Sequence, residues 1–462
     1  MKKIERFLSS DYYIAFTMLI TVVAWSFYKE TPPYLFNYYN SIGIIVLVSL
    51  VSLSLCLFKN TLYTIPPILG ILIVVNKSNM DLSTATQGGF IYYAFSIFVL
   101  GLVFHMIRFR PKLKIGIFFI GFLAIALSYV MPLLFIPFDV TNIPTSLIAF
   151  LYLILYVLFS STAKSNLNYL FKMLLFLNLA LTAQVFIYLY RGYLQNPDLE
   201  FYYRLFSGWN RNLGWANIND MCFYIGLTFP GYIYFIFKRP KTYLIWFLMI
   251  FPITAVILSK SRGGMLGFAV LVILSLLFFA LKGNKKHLTH GLVFLIILAV
   301  LSYIGREIYY IWWDYFKQSW SNDFDEFSSF RITIYKVGLR NFLEYPIFGS
   351  GWASLQKEFP GSRLFMYHST LVQSLAAMGI FGFLALLVHY FQVFKYMIKD
   401  ITLEKYLFLI GYLASQAHGL IDNVQYAVPY SIMIVIILAV FETSEIKSSF
   451  KEMDQKYHLL SL

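Results

Sequence analysis

The stretch FPITAVILSKSRGGMLGFAVLVILSLLFFALK, residues 251–282, holds two apolar runs joined by one short polar turn. A helix needs roughly 20 mostly apolar residues to cross the hydrocarbon core of a bilayer, and the runs near 242–258 and 264–281 approach that length. The turn between them carries Lys260 and Arg262 beside Ser259, Ser261, Gly263 and Gly264. Apolar run and polar turn alternate in the same way along the whole chain.

The 462 residues are 59% hydrophobic, 20% aromatic and only 13% charged. A soluble domain is near a quarter charged, so this chain has too few charges to cover a water-facing surface. The fold class read from this is all-α: a polytopic membrane protein with about 12–14 transmembrane helices. The runs lie near 12–28, 41–58, 61–76, 89–107, 115–137, 144–160, 168–190, 219–237, 242–258, 264–281, 288–304, 369–394, 404–420 and 427–443. Four regions follow: N-terminal spans to residue 190, central spans over 191–304, a long loop over 305–368, and C-terminal spans with a tail over 369–462.

The net charge of +14 would suggest nucleic acid in a soluble protein. In a membrane protein, short cytoplasmic loops collect Lys and Arg, and no nucleic-acid-binding pattern accompanies the charge, so no nucleic-acid partner is expected. Cys56 and Cys222 both fall inside apolar runs, which supports neither a disulfide framework nor a thiolate metal site. The basic MKKIERF start precedes a run with no small-residue cleavage site and is read as leading into a retained first span.

With the N-terminus inside, the inside loops hold Lys59, the Arg108–Lys114 group, Lys164, Lys238 to Lys241, Lys282 to Lys286 and Lys395 to Lys405. The short outside loops are poor in cations. That asymmetry obeys the positive-inside rule and puts both termini in the cytoplasm. Two outside loops are long, 191–218 and 305–368. In the second, Ile332, Tyr335, Leu339 and Phe342 recur at helical spacing, with Ser328 or Ser329 as a cap. This predicts an amphipathic helix on the outer membrane surface.

On this topology the turn at 259–264 faces outside, is short, and still carries two cations. Arg191, Arg204 and Arg211 come from a second outer loop, and Arg306, Arg331, Lys336, Arg340 and Arg363 from the third. A lone loop cation is usually just solvated, and Lys260 at a helix C-terminus is favourable in itself. Several converging arginines, with their planar bidentate donors, suit a phosphate. Gly263 and Gly264 let backbone amides approach a ligand at a helix N-terminus. An anion with a lipid tail, such as a polyprenyl diphosphate, fits the outer face of a membrane.

Two histidines lie at outer span ends. His368 precedes Ser369 and a span, and either caps that helix or acts as a base. His418 stands one turn before Asp422, a spacing that often marks a structural pair. No HExxH, paired-Cys or Walker pattern occurs, so no metal or cofactor is implied.

Four strings together resemble the O-antigen ligase and polymerase superfamily: LSKSRGGMLGF, FRITIYKVGLRNFLEYPIFGSGWASL, HSTLVQSLAAMGIFGFLALL and GWNRNLGWANINDMCFYIGLTFP. The similarity spans roughly residues 200–440. It implies a GT-C-like helical glycosyltransferase of the bacterial cytoplasmic (inner) membrane, acting externally on an undecaprenyl-diphosphate-linked oligosaccharide without a metal. By position it implies Arg262 and Arg331 as diphosphate ligands and His368 as the base. Arg211, Arg191 and Lys260 are further diphosphate candidates, and His418, Asp422, Gly263 and Gly264 are supplementary. Ala377 departs from the family, which often has an acidic residue there.

The activity expected is that of a surface-polysaccharide polymerase, which joins a glycan to another lipid-linked repeat unit and would work with a chain-length regulator. The Phe-, Tyr-, Ile- and Lys-rich composition favours it. The alternative is an O-antigen ligase that uses lipid A core or another acceptor. A flippase for lipid-linked sugars would need polar residues at span centres, where this chain is nearly free of charge.

Overall fold

The computed structural model describes residues 2–27, 38–74, 90–137, 142–164, 166–201, 203, 217–239, 243–322, 325, 328–359 and 366–443. Arg204, Arg211, Arg363 and the tail from 444 lie outside the described residues. Among those described, the fold is helical and has no strand.

The first half contains α1 (Lys2–Leu8), α2 (Asp11–Ser26), α3 (Tyr38–Leu57), α4 (Ile65–Val74), α5 (Phe90–Phe109), α6 (Phe119–Val130), α7 (Asn142–Thr162) and α8 (Leu167–Gln195). The second half opens with α9 (Ile218–Thr228), α10 (Pro230–Lys238), α11 (Tyr243–Leu258), α12 (Arg262–Lys282) and α13 (Lys285–Ile304). The long loop holds α14 (Arg306–Asn322), α15 (Arg331–Glu344) and α16 (Ser354–Glu358), followed by α17 (Thr370–Ile398), α18 (Leu403–Gly419) and α19 (Val428–Glu442).

Each apolar run forms helix. Among the described residues eight helices are long and apolar enough to cross a membrane, or up to nine if α1 and α2, bent by 59°, form one span. The remaining runs are shorter: Thr61–Val74, Phe119–Leu134, Tyr243–Leu258 and Val428–Glu442 have fewer than 18 residues, as does α18 with 17. The gap between this count and the expected 12–14 is therefore one of helix length, not of missing helices. At 1.5 Å per residue these helices fall roughly 4–9 Å short of the hydrocarbon thickness of about 30 Å.

Loops of like parity are tied to one another, as alternating crossings require. At one end the Asn60 side chain accepts from the Lys164 amide at 2.7 Å, Thr61 meets Thr162 at 2.8 Å, and the Lys114 amide donates to Ser161 at 2.7 Å. Lys238 pairs with Glu404 at 3.6 Å at the start of α18. At the other end Arg191 donates to the Ser26 carbonyl, and the indole of Trp312 donates to the Ile257 carbonyl at 3.3 Å.

The segment Ile218–Lys238 is buried from Asp220 to Phe237, whereas α13 and α5 are largely uncovered by protein. A helix that is apolar all round and uncovered fits only a lipid surround. Around the buried segment, α12 packs on α18 and on α9, and α9 also packs on α18.

The helix expected in the stretch 328–345 forms over Arg331–Glu344 and is docked on α17. It packs against α17 through Ile334, Gly338 and Asn341, while Leu339 and Leu343 stay exposed. Gly338 makes this docking possible: a Cβ there would come within 2.5 Å of Val372. The periodicity marked an apolar stripe correctly, but the protein uses the neighbouring stripe, where the small residue permits close approach.

The span opened by His368 is broken. Gly379 sits at φ 66°, ψ −163° inside α17, a conformation open essentially to glycine alone. The amides of Ile380 and Phe381 are satisfied by the carbonyls of Pro346 (2.8 Å) and Ile347 (3.1 Å). The amides of Ser350 and Gly351 donate to the carbonyls of Ala376 (2.9 Å) and Ala377 (3.0 Å). The P-x-x-G-x-G stretch is thus a clasp on a broken helix, and it fixes His368 relative to the loop. Ala377 lies fully buried beneath this clasp, where a carboxylate would meet backbone instead of solvent.

Candidate active site

The turn quoted above is built by short polar side chains. Ser261 caps α12 by accepting from the Gly264 amide at 3.0 Å. Ser259 accepts from the Cys222 thiol at 3.0 Å and from the Ser261 amide at 3.2 Å. The glycines serve packing: a Cβ on Gly263 would lie 2.5 Å from Nε2 of His418, and one on Gly264 would lie 2.5 Å from Cβ of Cys222. The room expected for a phosphate at these two positions is taken by α18 and α9. The cations at the turn project from a scaffold packed against two helices.

Arg262, the first residue of α12, donates to the Ser329 hydroxyl at 2.8 Å. Arg331, the first residue of α15, donates to the Ile421 carbonyl and pairs with Asp422 at 3.4 Å. Nδ1 of His368 stands 3.3 Å from Oδ1 of Asp422. Nε2 of His418 lies 3.9 Å from the other carboxylate oxygen. Residues far apart in sequence therefore converge around one buried carboxylate.

The remaining contacts hold this arrangement. The Tyr335 hydroxyl donates to the His368 carbonyl at 2.8 Å, and the Thr370 amide donates to the Asp422 carbonyl at 3.2 Å. The Asn423 amide donates to Asp422 at 2.8 Å. His418 is buried with its ring edge-on to Phe223, and neither ring nitrogen makes a hydrogen bond among the described residues. Ser369 caps α17, with the Val372 amide 3.5 Å from its hydroxyl, so the capping role open to His368 falls to its neighbour.

Backbone strain collects here. Among the described residues six non-glycines have positive φ, and four of them are Lys260 (45°), Ser329 (59°), Phe330 (60°) and His368 (49°). Each such residue costs about 1–3 kcal/mol and persists only where the surrounding structure over-determines it.

Electrostatics favours an anion. Burial alone would raise the Asp422 carboxyl, but the hydrogen bond from His368 and the charge of Arg331 outweigh it and hold the group well below the usual carboxylate range. Asp422 is thus ionised and offsets one charge of the Lys260, Arg262 and Arg331 set. Burial lowers Lys260 from 10.5 to about 8. With Asp422 as its acceptor, His368 carries its proton on Nδ1, which leaves Nε2 as a proton acceptor.

Arg191 is held elsewhere: its guanidinium donates to the Ser26 carbonyl and lies 5.6 Å from the Trp25 ring. Arg211 lies outside the described residues. Ser329, Tyr335 and Thr370 were not foreseen as site residues: the sequence marks Ser329 only as a possible helix cap and Tyr335 only as part of an apolar stripe. No group of three metal-ligating side chains suited to a metal ion occurs among the described residues.

Residues 247–387 match the family model described as O-antigen ligase. The matched segment contains Lys260, Arg262, Arg331 and His368, while His418 and Asp422 come from beyond it. No curated protein matches the chain. The match over residues 247–387 supports a place for this chain in the O-antigen ligase and polymerase superfamily.

Proposed function

We propose that this protein is a membrane glycosyltransferase that polymerises a surface polysaccharide at the external face of the bacterial cytoplasmic membrane. It moves a growing glycan from undecaprenyl diphosphate to a sugar hydroxyl of another lipid-linked repeat unit. The observation that carries this reading is the shared carboxylate: Asp422 holds His368 at 3.3 Å and Arg331 at 3.4 Å. A base and an anion-binding cation are thereby fixed side by side.

In the reaction the bond between the anomeric carbon and the diphosphate oxygen breaks, and a bond from that carbon to the acceptor oxygen forms. Nε2 of His368 takes the acceptor proton, and Asp422 stabilises the imidazolium. Arg262, Arg331 and Lys260 stabilise the charge developing on the departing diphosphate. The asymmetry of loop cations supports cytoplasmic termini, which leaves this cluster outside. A chain-length regulator is the partner a polymerase would use.

The second reading, transfer to lipid A core or another acceptor, is favoured by the family description, O-antigen ligase. The same donor and the same His368 chemistry serve both. Purified protein given lipid-linked repeat units alone should lengthen the glycan, and His368→Ala and Arg262→Ala should abolish growth while the protein remains folded. Full activity in both variants rejects the site. Product formed only when lipid A core is added makes the protein a ligase.

A further inference from the structure

The reading above accounts for a charged head and leaves the tail without a seat. A cavity of about 420 Å³ lies within the membrane between α11, α12 and α13. Apart from Ser275 and His287, its walls are hydrocarbon and aromatic. A second cavity of about 90 Å³ continues it between α11, α13 and the start of α14. Ile253 and Leu298 line both, so the two adjoin as a cleft along α11, the larger volume toward Trp246 and the smaller toward Leu258.

The cleft follows the length of α11. Trp246 lines its deep part, and Ile257 and Leu258 line its neck. The next residues are Ser259 and Lys260, then the cap and Arg262. Trp312 of α14 holds the Ile257 carbonyl at this neck. On the far side α13 is barely covered by protein, so the cleft is open to the bilayer.

We propose that this cleft holds the polyprenyl tail of the lipid-linked donor; the inference rests on the reading of the cation turn as a diphosphate site. The neck beneath the turn encloses only about 90 Å³, which suits one isoprenoid chain better than the paired chains of a phospholipid. Its end at Ile257 and Leu258 lies just before the turn with Lys260 and Arg262, which would supply the charge for the head. Within a bilayer the cleft offers an apolar chain no gain from leaving water, so its contribution is shape and orientation. A tail laid along α11 would deliver the diphosphate to the turn in one register.

Gly291 allows a test. It lines the cavity, and a Cβ there would lie 3.7 Å from the Trp246 ring, an ordinary contact. Gly291→Leu therefore fills the cleft without a backbone clash. Trp246 lies about 18 Å along α11 from Leu258, and a geranyl chain reaches roughly half that distance.

Binding of undecaprenyl diphosphate and of geranyl diphosphate would be measured by native mass spectrometry on protein in nanodiscs. Gly291→Leu should weaken undecaprenyl diphosphate about tenfold and leave geranyl diphosphate unchanged, while Arg262→Ala weakens both. If Arg262→Ala weakens both and Gly291→Leu weakens neither, the tail lies elsewhere and the head site stands. If wild-type protein binds neither lipid, the diphosphate reading falls and the cleft assignment with it. A measurement independent of the variant's folding uses wild-type protein and a polyprenyl diphosphate carrying a diazirine near its tail end. Label should fall on the peptides holding Trp246 or Leu292 and be displaced by undecaprenyl diphosphate. Label elsewhere, or displacement by phosphatidylglycerol alone, overturns the proposal.

Discussion

His368 and Asp422 stand 54 positions apart, and their side chains meet at 3.3 Å, Nδ1 to Oδ1. The contact fixes both the ring's orientation and its tautomer. Asp422→Asn keeps the shape and removes the charge that would stabilise an imidazolium. kcat should fall roughly a hundred- to ten-thousandfold, with the donor KM held within about threefold. Steady-state glycan transfer would read this, and an unchanged kcat would remove Asp422 from the mechanism. Pairing the change with His368→Ala should add little further loss, because residues acting as one unit are not additive.

Gly263 and His418 are matched in size. A Cβ on Gly263 would lie 2.5 Å from Nε2 of His418, which is enclosed by protein and cannot swing away. Gly263→Ala should lower stability by about 1–3 kcal/mol, read as a fall in melting temperature in detergent. Adding His418→Ala should restore part of that loss. Equal destabilisation with and without His418 would mean that the clash lies elsewhere.

Lys260 brings a pH limit. Burial lowers it to about 8, so it is a cation below that pH and neutral above it. If the cation contributes to holding the diphosphate, kcat/KM for the donor falls as pH rises through about 8. Lys260→Arg keeps its charge throughout and should remove this limb of the profile. A limb that persists in the Arg variant assigns the titration to another group.

Gly379 carries the break in α17. A Cβ at this position would meet the Ile347 carbonyl oxygen at 2.4 Å, on a backbone at φ 66°. Gly379→Ala should destabilise by more than about 3 kcal/mol and release the clasp that positions His368. A variant that folds and transfers glycan at the wild-type rate would show that the clasp is dispensable.

Fold class and the outline of the site were legible in the sequence for different reasons. Membrane spans are written in composition and run length, because each helix satisfies its own backbone and needs only lipid-compatible side chains. Arg262 stood out because, on the topology expected from the loop cations, it breaks a charge rule that the other short outside loops obey. Arg331 and His368 entered through resemblance to known strings. The hydrogen-bonding roles of Ser329 and Tyr335 were illegible, since a hydroxyl becomes a partner only once the chain has brought its acceptor or donor to it.

The quoted turn marks the same division. The sequence alone determined that SKSRGG lies between two apolar runs, carries two cations and opens a helix at its glycines, since hydropathy and turn chemistry act over a few residues. Only the tertiary structure decided that Gly263 makes room for a histidine, that Arg262 reaches Ser329, and that Asp422 joins His368 to Arg331. The three polar contacts link residues 67, 54 and 91 positions apart. They depend on how α12, α15, α17 and α18 pack, which no local preference encodes.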